Sequence, residues 1–182
     1  LHGGAMAIDD RAVRSTVAFG PDRTLEQDPM FALRIIVDIG LKALSPAIND
    51  PSTAVVALDQ VHRLLQVLGR RRLRGEVIVD AGGQPRVIFR TPNWEDYVQV
   101  ACSEIRACGA NNLQVVRRMR AMLENLRRAL PERRRSALET EIELLDWAVQ
   151  THFTRPEELA LARTPDSQGL GGSSNSRLMR AE

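Results

Sequence analysis

The segment from Asp28 to Ser45 constrains the fold most, because it is apolar on most sides of a helix and is crossed by one line of charge. It reads DPMFALRIIVDIGLKALS, and its charges are Arg34, Asp38 and Lys42. A spacing of four residues places these side chains on one face of a helix. A helix that is apolar elsewhere is usually buried, and a buried charge must be paired or face water or a ligand. We therefore expect this helix at the centre of the molecule, with the charged line as a dry salt-bridged seam or as the floor of a site.

Composition is typical of a single soluble domain. The chain has 182 residues, of which 43% are hydrophobic and 26% charged, and its formal net charge is +2. That length is enough for one proper core, and the small net charge gives no overall attraction to nucleic acid. A bilayer span needs about 20 mostly apolar residues, and the three charges interrupt the most apolar stretch, so no spanning segment is predicted. The chain begins at Leu1 and not at Met, so we expect a fragment or an excised domain, and N-terminal signals outside this sequence stay open.

Hydrophobic periodicity predicts an α+β fold that is mainly α. Helix starts are indicated by Asp28 before Pro29, by Asp50 before Pro51, and by Asn93 with a capping-box partner three residues later. The segments GEVIVD and PRVIF flank a glycine turn and predict a two-stranded β-hairpin near residues 75–90. Two later amphipathic helices, 113–130 and 132–153, are separated only by a proline and predict an antiparallel helical hairpin. We expect a compact bundle of five to seven helices with that one β-hairpin.

Three parts of the chain are predicted from these patterns. Residues 1–8 form a tether, and residues 9–163 form a single helical domain. That domain begins with a short helix from Asp9 or Asp10 to Phe19 and ends with one near Pro156 to Ala162. Residues 164–182 are rich in serine, glycine and asparagine, and we expect them to be a disordered tail.

No pattern of residues indicates a metal, a cofactor or a catalytic centre. Cys102 and Cys108 fall on one predicted helix, where a rise of 1.5 Å per residue puts them roughly 9 Å apart, too far for a disulfide. Reduced core thiols in a cytosolic setting are therefore expected. His62 lies three residues after Asp59, and with Asp38 the two could form an acid–base group, although a surface histidine is the alternative. We expect no metal and no cofactor, and the lack of a catalytic pattern favours a non-enzymatic role.

The stretch from Asp28 to Ala54, DPMFALRIIVDIGLKALSPAINDPSTA, resembles the soluble C-terminal region of a bacterial membrane protein family known as domain of unknown function 2254. The later segment TPNWEDY and the arginine-rich helical hairpin fit the same family, so the resemblance extends over residues 8–163. It implies transmembrane helices upstream, an inner-membrane location and a cytoplasmic side for this domain, but no activity. The family pattern has glycine where Ala32 and Ala47 lie here, so Ala47 would be strained if that position requires a positive φ.

The first candidate site joins the charged line to the turn that follows it. Its residues are Arg34, Asp38, Lys42, Asn49, Asp50 and Thr53. Polar groups and free backbone N–H groups at a helix N-terminus suit an anion. The structural alternative is that Asp50 only caps the helix, that Asn49 only locks the turn, and that the charges satisfy one another.

Runs of arginine form the second candidate site. The basic run Arg70, Arg71, Arg72 and Arg74 is the first choice for a membrane-proximal patch, since each cation near an anionic leaflet contributes about 1 kcal/mol. The runs at 117–120 and 127–135 are interpreted as solvated helix faces, as membrane-attracting surfaces or as nucleic-acid contacts. Acidic residues at i, i+4 favour the first interpretation: the pairs are Arg120–Glu124, Glu124–Arg128 and Arg135–Glu139. Nucleic acid is the least favoured, because aromatic residues for stacking are lacking.

Two hypotheses follow from the sequence. The first is a cytoplasmic module of a membrane-anchored protein with a structural, assembly or regulatory role, joined to the membrane through a missing N-terminal region and able to form a homo-oligomer. The second is a small-anion-binding or enzymatic domain centred on Arg34, Asp38, Lys42 and the turn at Asn49 and Asp50. The second requires those groups to converge on a pocket that solvent reaches.

Overall fold

The predicted fold class is confirmed by a computed structural model that describes residues 11, 14, 28–73 and 77–171. Its α-helices are α1 (Pro29–Ala43), α2 (Pro51–Arg70), α3 (Trp94–Gly109), α4 (Leu113–Ala129), α5 (Arg135–His152) and α6 (Pro156–Ala162). A short 3₁₀ helix, Glu132–Arg134, links α4 to α5. Strands β1 (Val77–Val79) and β2 (Pro85–Ile88) form the β-hairpin. The predicted tether and the short helix to Phe19 lie outside the described residues, apart from residues 11 and 14, which are helical.

Side-chain caps start the helices where the sequence indicated. The Asp28 carboxylate accepts hydrogen bonds from the backbone N–H groups of Met30 at 3.0 Å and Phe31 at 3.1 Å. Asn93 and Asp96 form the reciprocal capping box at the start of α3. These local bonds satisfy N–H groups that the helix itself leaves unpaired, so local sequence is sufficient to fix the starts.

The five longer helices run back and forth between two ends of the bundle. The turn end holds the C-terminus of α1, the start of α2, the end of α3 and the start of α4; a Cβ added at Gly109 would lie 3.2 Å from Leu44. The opposite end holds the C-termini of α2 and α4 and the starts of α3 and α5. There the Trp94 indole N–H donates to the carbonyl of Arg134 at 3.0 Å.

Helix α4 lies at the centre of the bundle, and this is where the structure differs most from the sequence prediction. Every residue from Val115 to Leu123 is buried, including Arg117, Arg118 and Arg120. Helix α1, which we expected at the centre, buries only Leu33, Val37, Gly40 and Ala43. Its other apolar side chains are half-buried or exposed, and Ile39 is 51% exposed. The prediction that α1 lies at the centre is therefore wrong. Gly40 lets α2 and α3 approach α1 along one stripe, while the other sides of α1 remain at the surface.

The β-hairpin projects from the bundle and is exposed on both faces. Val77 pairs with Ile88 and Ile78 with Val87, and the register shifts between Ile78 and Val79. All residues of both strands are exposed. The hairpin joins α2 to α3, both of which have their adjoining ends at the same end of the bundle.

Residues 164–171, which we call the C-terminal strap, pack against α2 and α4 instead of forming a free tail. Asp166 is buried, and its backbone N–H donates to the carbonyl of Arg117 at 3.1 Å. A Cβ added at Gly169 would lie 2.8 Å from Val55, so the strap passes close to α2. The prediction of disorder from residue 164 therefore does not hold for the strap, and residues 172–182 lie outside the described part of the chain.

Candidate functional site

The charged line of α1 lies at the surface, beside α3. Arg34 Nε donates to Asp38 at 2.8 Å, and a second guanidinium nitrogen donates to Glu104 of α3 at 3.1 Å. Hydrogen bonds to Glu104 and Asp38 raise the pKa of Arg34, and the same bond lowers the pKa of Glu104. The side chains of Asp38 and Glu104 are 57% and 54% exposed. The expected dry seam is therefore wrong, and what exists is a solvent-exposed ion pair that links two helices.

Lys42 takes no part in that ion pair. Its side chain is exposed, and among the described residues it has no carboxylate within ion-pairing distance. Asp38 is paired with Arg34 instead, one turn earlier. The pairing is local because Arg34 can reach both Asp38 and Glu104 at once, whereas Lys42 lies one turn further towards the turn end.

The turn after α1 uses its polar groups internally. The Asp50 carboxylate accepts from the Thr53 backbone N–H at 3.1 Å and from the Thr53 hydroxyl at 2.5 Å. The hydroxyl bond is the main cause of the lowered pKa of Asp50. Asn49 has a φ of 48°, the only positive φ among the described non-glycine residues, and asparagine tolerates that conformation well. Ala47 therefore escapes the strain that the family pattern suggested.

The suggested acid–base group of Asp38, Asp59 and His62 is not brought together. Asp59 accepts from Arg118 Nε at 2.5 Å, and His62 Nε2 lies 2.9 Å from the side-chain oxygen of Asn125. Burial is the main cause of the lowered pKa of His62. Asp38 is bonded to Arg34 of its own helix, whereas Asp59 and His62 have separate partners on α4.

The arginines in the first half of α4, within 117–120, are buried and hydrogen-bonded, which corrects the interpretation of this run as a solvated, membrane or nucleic-acid face. Arg117 is 2% exposed, and it donates to the carbonyls of Thr164 and Gly171 at 3.0 Å each. Arg118 donates to Asp59 and to the carbonyl of Ser167 at 3.1 Å. The strap therefore supplies carbonyl oxygens to guanidinium groups that would otherwise lose their water on burial.

Arg120 is the third buried arginine of α4, and it faces α5 instead of the strap. It pairs with Asp146 of α5 and approaches Glu124 at 3.9 Å, so one predicted i, i+4 pair is present. Its Nε is buried without a hydrogen-bond partner. The other two predicted pairs are absent from the described residues: Arg128 donates to the backbone carbonyl of Glu124 at 3.2 Å, and Arg135 forms no ion pair with Glu139.

The strap is itself held by one buried carboxylate. Asp166 accepts backbone N–H groups from Gln168 at 3.1 Å, Gly169 at 2.9 Å and Gly171 at 2.6 Å. Burial opposes ionisation of Asp166, but these bonds outweigh it and lower its pKa. The two glycines have φ values of 72° and 77°, which allow the chain to curl around the carboxylate.

Two separate arginine runs meet at the end of the bundle from which the hairpin projects. Arg134 donates to the carbonyl of Gly69 at 3.3 Å and to that of Arg71 at 3.2 Å, and Leu130 packs on Gly69. The end of α2 therefore lies against the link from α4 to α5. We call this region the basic end and define it by its exposed arginines: Arg70, Arg71, Arg72, Arg127, Arg128, Arg133 and Arg135. Arg74 lies outside the described residues.

A cleft of about 340 Å³ lies between α3 and α5. It is lined by acids, hydroxyl groups, one amide and apolar side chains: Glu95, Val98, Gln99, Ser103, Ser136, Ala137, Thr140, Glu141 and Leu144. Burial raises the pKa of Glu141, and its bond to Arg106 Nε at 2.6 Å opposes that shift. This lining holds no nucleophile paired with a base, and it contains none of the residues of the first candidate site.

The two cysteines differ in their surroundings. Cys102 is buried, and its burial raises the pKa of the thiol, whereas Cys108 is exposed. The expectation of two core thiols is therefore wrong for Cys108. In the described part of the chain, no three histidine, cysteine or acidic side chains are placed to hold a metal ion together.

Sequence reasoning missed the buried arginines and their strap, although two signals point to them. Asp59 follows the buried Leu58 in α2 and therefore needs a partner close to the core. The strap contains an aspartate followed by glycines three and five residues later, a spacing typical of a loop that wraps around a carboxylate.

Comparison with known proteins supplies the family. Residues 2–125 match the model of a family described as predicted membrane protein, DUF2254. One protein of Mycobacterium bovis and two of Mycobacterium tuberculosis strains, all named uncharacterised proteins, are 34% identical to this chain over 146 residues. The alignment includes 80% of this chain but only 28% of each relative, so the chain spans little more than a quarter of their length. No solved structure matches it.

The membrane description applies to the family, and the described helices themselves are too short or too polar to cross a bilayer. The family model nevertheless includes more than half of this chain, and it includes the whole charged-line segment that carried the resemblance. The chain belongs to the bacterial family of predicted membrane proteins described as domain of unknown function 2254.

Proposed function

We propose that this chain is a cytoplasmic module of an inner-membrane protein, with a structural or regulatory role, and that its basic end faces the anionic leaflet. The observation that carries the proposal is the convergence of two arginine runs, at 70–72 and at 127–135, on one end of the bundle. A polybasic surface close to an anionic leaflet is attracted by about 1 kcal/mol for each cation. Acidic residues such as Glu132 and Glu95 also lie there, but the arginines outnumber them.

The direction of the chain supports this orientation. Helix α1 runs antiparallel to α2, so it begins at the basic end. The pKa of Tyr97, in the first turn of α3, is raised by burial and then by the charge of Asp28, which caps α1. We infer membrane helices upstream of α1 from the family's description as predicted membrane proteins. A chain that leaves the membrane and enters α1 would therefore reach this domain at its basic end.

Binding to lipid vesicles tests the proposal. We expect the chain to bind vesicles of equal parts phosphatidylglycerol and phosphatidylcholine, and not vesicles of phosphatidylcholine alone. Added salt should weaken the binding, because it screens exposed charges. The double variant Arg71→Gln/Arg72→Gln should lower the vesicle partition constant by about tenfold or more.

The matched control removes two cations from the other end of the bundle. Lys42 and Arg155 are both exposed and lie at or near the turn end, so Lys42→Gln/Arg155→Gln changes the net charge equally. The control should leave binding within about twofold of wild type. Equal loss in both double variants would show only a net-charge effect, and equal binding to neutral vesicles would contradict the proposal.

The competing hypothesis of an anion-binding or enzymatic centre is less well supported. Asp50 and Thr53 are engaged in capping α2, and Arg34 is engaged with Asp38 and Glu104. Only Lys42 and Asn49 remain exposed and outside the ion pairs. The variant Lys42→Met tests this hypothesis: its stability should equal that of wild type, and loss of an anion-dependent rise in melting temperature would favour the competing site.

A further inference from the structure

The β-hairpin between Val77 and Phe89 exposes apolar side chains that nothing in the described chain covers. Six large apolar residues are between 36% and 73% exposed: Val77, Ile78, Val79, Val87, Ile88 and Phe89. Two strands alone bury too little to be stable in water, and soluble domains seldom leave such a patch open. The exposed apolar side chains of the hairpin therefore indicate a surface that is covered when the protein functions.

We propose that the hairpin inserts into the interfacial region of an anionic bilayer, with the basic end around its base held by lipid headgroups. Charge complementarity selects this occupant. In the chain, the hairpin lies between the exposed Arg70–Arg72, at the end of α2, and the start of α3, so its apolar strands belong to the same end of the bundle as the exposed arginines. A cationic surface with an apolar projection is the combination that binds anionic membrane interfaces. The inference rests on the proposed function, because it requires the basic end to face the membrane.

A second copy of the chain is a poorer occupant of this surface. Pairing the strand edges of two hairpins would bring two basic ends together, and their like charges would repel. Edge pairing would also leave the faces of the hairpin uncovered, because side chains point to the faces and not to the edges. A bilayer interface covers a face and neutralises the arginines in the same contact.

The turn of the hairpin limits how deep it enters. Asp80 accepts from the N–H groups of Gly82 at 2.8 Å and Gln84 at 3.0 Å and from Arg86 Nε at 2.6 Å. This polar tip and the unpaired strand edges have no place in the hydrocarbon core, where every backbone group needs a protein partner. The hairpin therefore lies along the interface, with its apolar side chains beneath the headgroups, and does not cross the membrane.

A fluorescent label at Ile88, the most exposed of the hairpin's apolar side chains, tests the inference. Cys108→Ser removes the exposed thiol, while Cys102 is buried with a raised thiol pKa and does not react with the reagent. In that background, Ile88→Cys takes an environment-sensitive nitrobenzoxadiazole label. Ile48→Cys, at the turn end and 50% exposed in the native chain, is the matched control. With phosphatidylglycerol–phosphatidylcholine vesicles we expect several-fold brighter, blue-shifted emission at position 88, quenched by spin-labelled acyl chains, and no change at position 48.

A second pair of variants measures the apolar contribution without a label. Val77→Ser/Ile88→Ser should weaken vesicle partition by about tenfold or more, because these two cross-strand partners lie on one face of the hairpin and their apolar side chains no longer enter the interface. Val56→Ser/Val67→Ser removes exposed apolar side chains of α2 and should leave partition unchanged. Circular dichroism should show the same helix content in both double variants as in wild type, since none of the substituted side chains is in the core.

The outcomes separate this inference from the proposed function. If the chain binds anionic vesicles but the label at position 88 does not respond, the basic end docks without insertion and the inference is overturned alone. If the chain does not bind anionic vesicles at all, the proposed function falls and the inference falls with it. If the label at position 88 responds to protein concentration without lipid, a second copy covers the hairpin and the inference is wrong.

Discussion

Individual charged side chains in this protein have very different environments. Their positions in the sequence did not show which of them are buried and which are exposed. Arg34 lies in the most apolar helix, yet its ion pair is open to water. Arg118 lies in an arginine-rich helix, yet it is 9% exposed and bonded to Asp59 and to strap carbonyls. The long aliphatic stem of arginine packs in the core, and its planar head can meet several acceptors at once.

This contrast gives a prediction for a matched pair of substitutions. Arg118→Ala should lower the free energy of unfolding by about 2–3 kcal/mol, because it removes core packing and leaves Asp59 without its partner. Arg34→Ala should cost at most about 1 kcal/mol, as is usual for exposed pairs. Urea unfolding followed by circular dichroism measures both, and equal costs would contradict the burial of Arg118.

Asp166 gives a pH-dependent prediction. Its pKa in the folded chain lies below its ordinary value of 3.8, so its stabilisation of the strap is complete above that value and is lost as the pH falls through the folded pKa. The protection factors of the Gly169 and Gly171 amides, which compare their exchange rates with those of a free peptide at the same pH, should therefore be high at neutral pH and fall below about pH 3.8. In Asp166→Asn these protection factors should be lower at neutral pH and fall much less with acid. Identical profiles in the two proteins would contradict the role of the carboxylate.

At the scale of elements, local signals placed the helices well and close packing adjusted their ends. Helix α2 passes through Gly69 and continues to Arg70, although a glycine just after an apolar stripe typically ends a helix. Gly69 allows a close contact between α2 and Leu130 and does not end the helix. A Cβ at this position would lie 2.4 Å from a methyl group of the buried Leu130. This glycine lets the end of α2 approach the link from α4 to α5, and that approach assembles the basic end.

Gly69→Ala should therefore destabilise the protein by about 1–3 kcal/mol, although alanine favours a helix more than glycine does. Gly40→Ala in α1 is the control, because its Cβ would meet neighbours only at 3.4 Å. Thermal unfolding measures both variants. A Gly69→Ala protein as stable as wild type would mean that Leu130 moves aside at little cost.

At the scale of the whole molecule, the chain is a helical bundle with two appendages of opposite character. The strap completes the core by covering Arg117 and Arg118, whereas the strands of the hairpin are exposed throughout. One appendage therefore serves the stability of the bundle, and the other adds surface to it.

Removing each appendage should separate these roles. Truncation after Arg163 should lower the free energy of unfolding by about 2–5 kcal/mol, since buried guanidinium groups lose their acceptors. Truncation after Gly171 is the control and should keep most of that stability. Replacement of residues 77–88 by a short glycine–serine linker should change stability by no more than about 1 kcal/mol. A bundle that unfolds without the hairpin would contradict this division.

Features that depend on near neighbours could be predicted from the amino-acid sequence alone. Asp28, Asp50 and Asn93 cap helices through bonds to residues two or three positions away, and the alternating strands around a glycine turn pair with each other. These interactions are complete within a few residues, so the helix starts, the hairpin and the mainly α fold class could be read directly.

Which helix is central and which charges are buried depended on how the helices pack together. The apolar α1 is peripheral and the arginine-rich α4 is central, because α4 finds partners for its charges in Asp59, Asp146 and the distant strap. The basic end likewise joins arginines about sixty positions apart in the chain. The free energy of a charge depends on acceptors brought to it by folding, and one segment's periodicity carries no information about acceptors supplied by another.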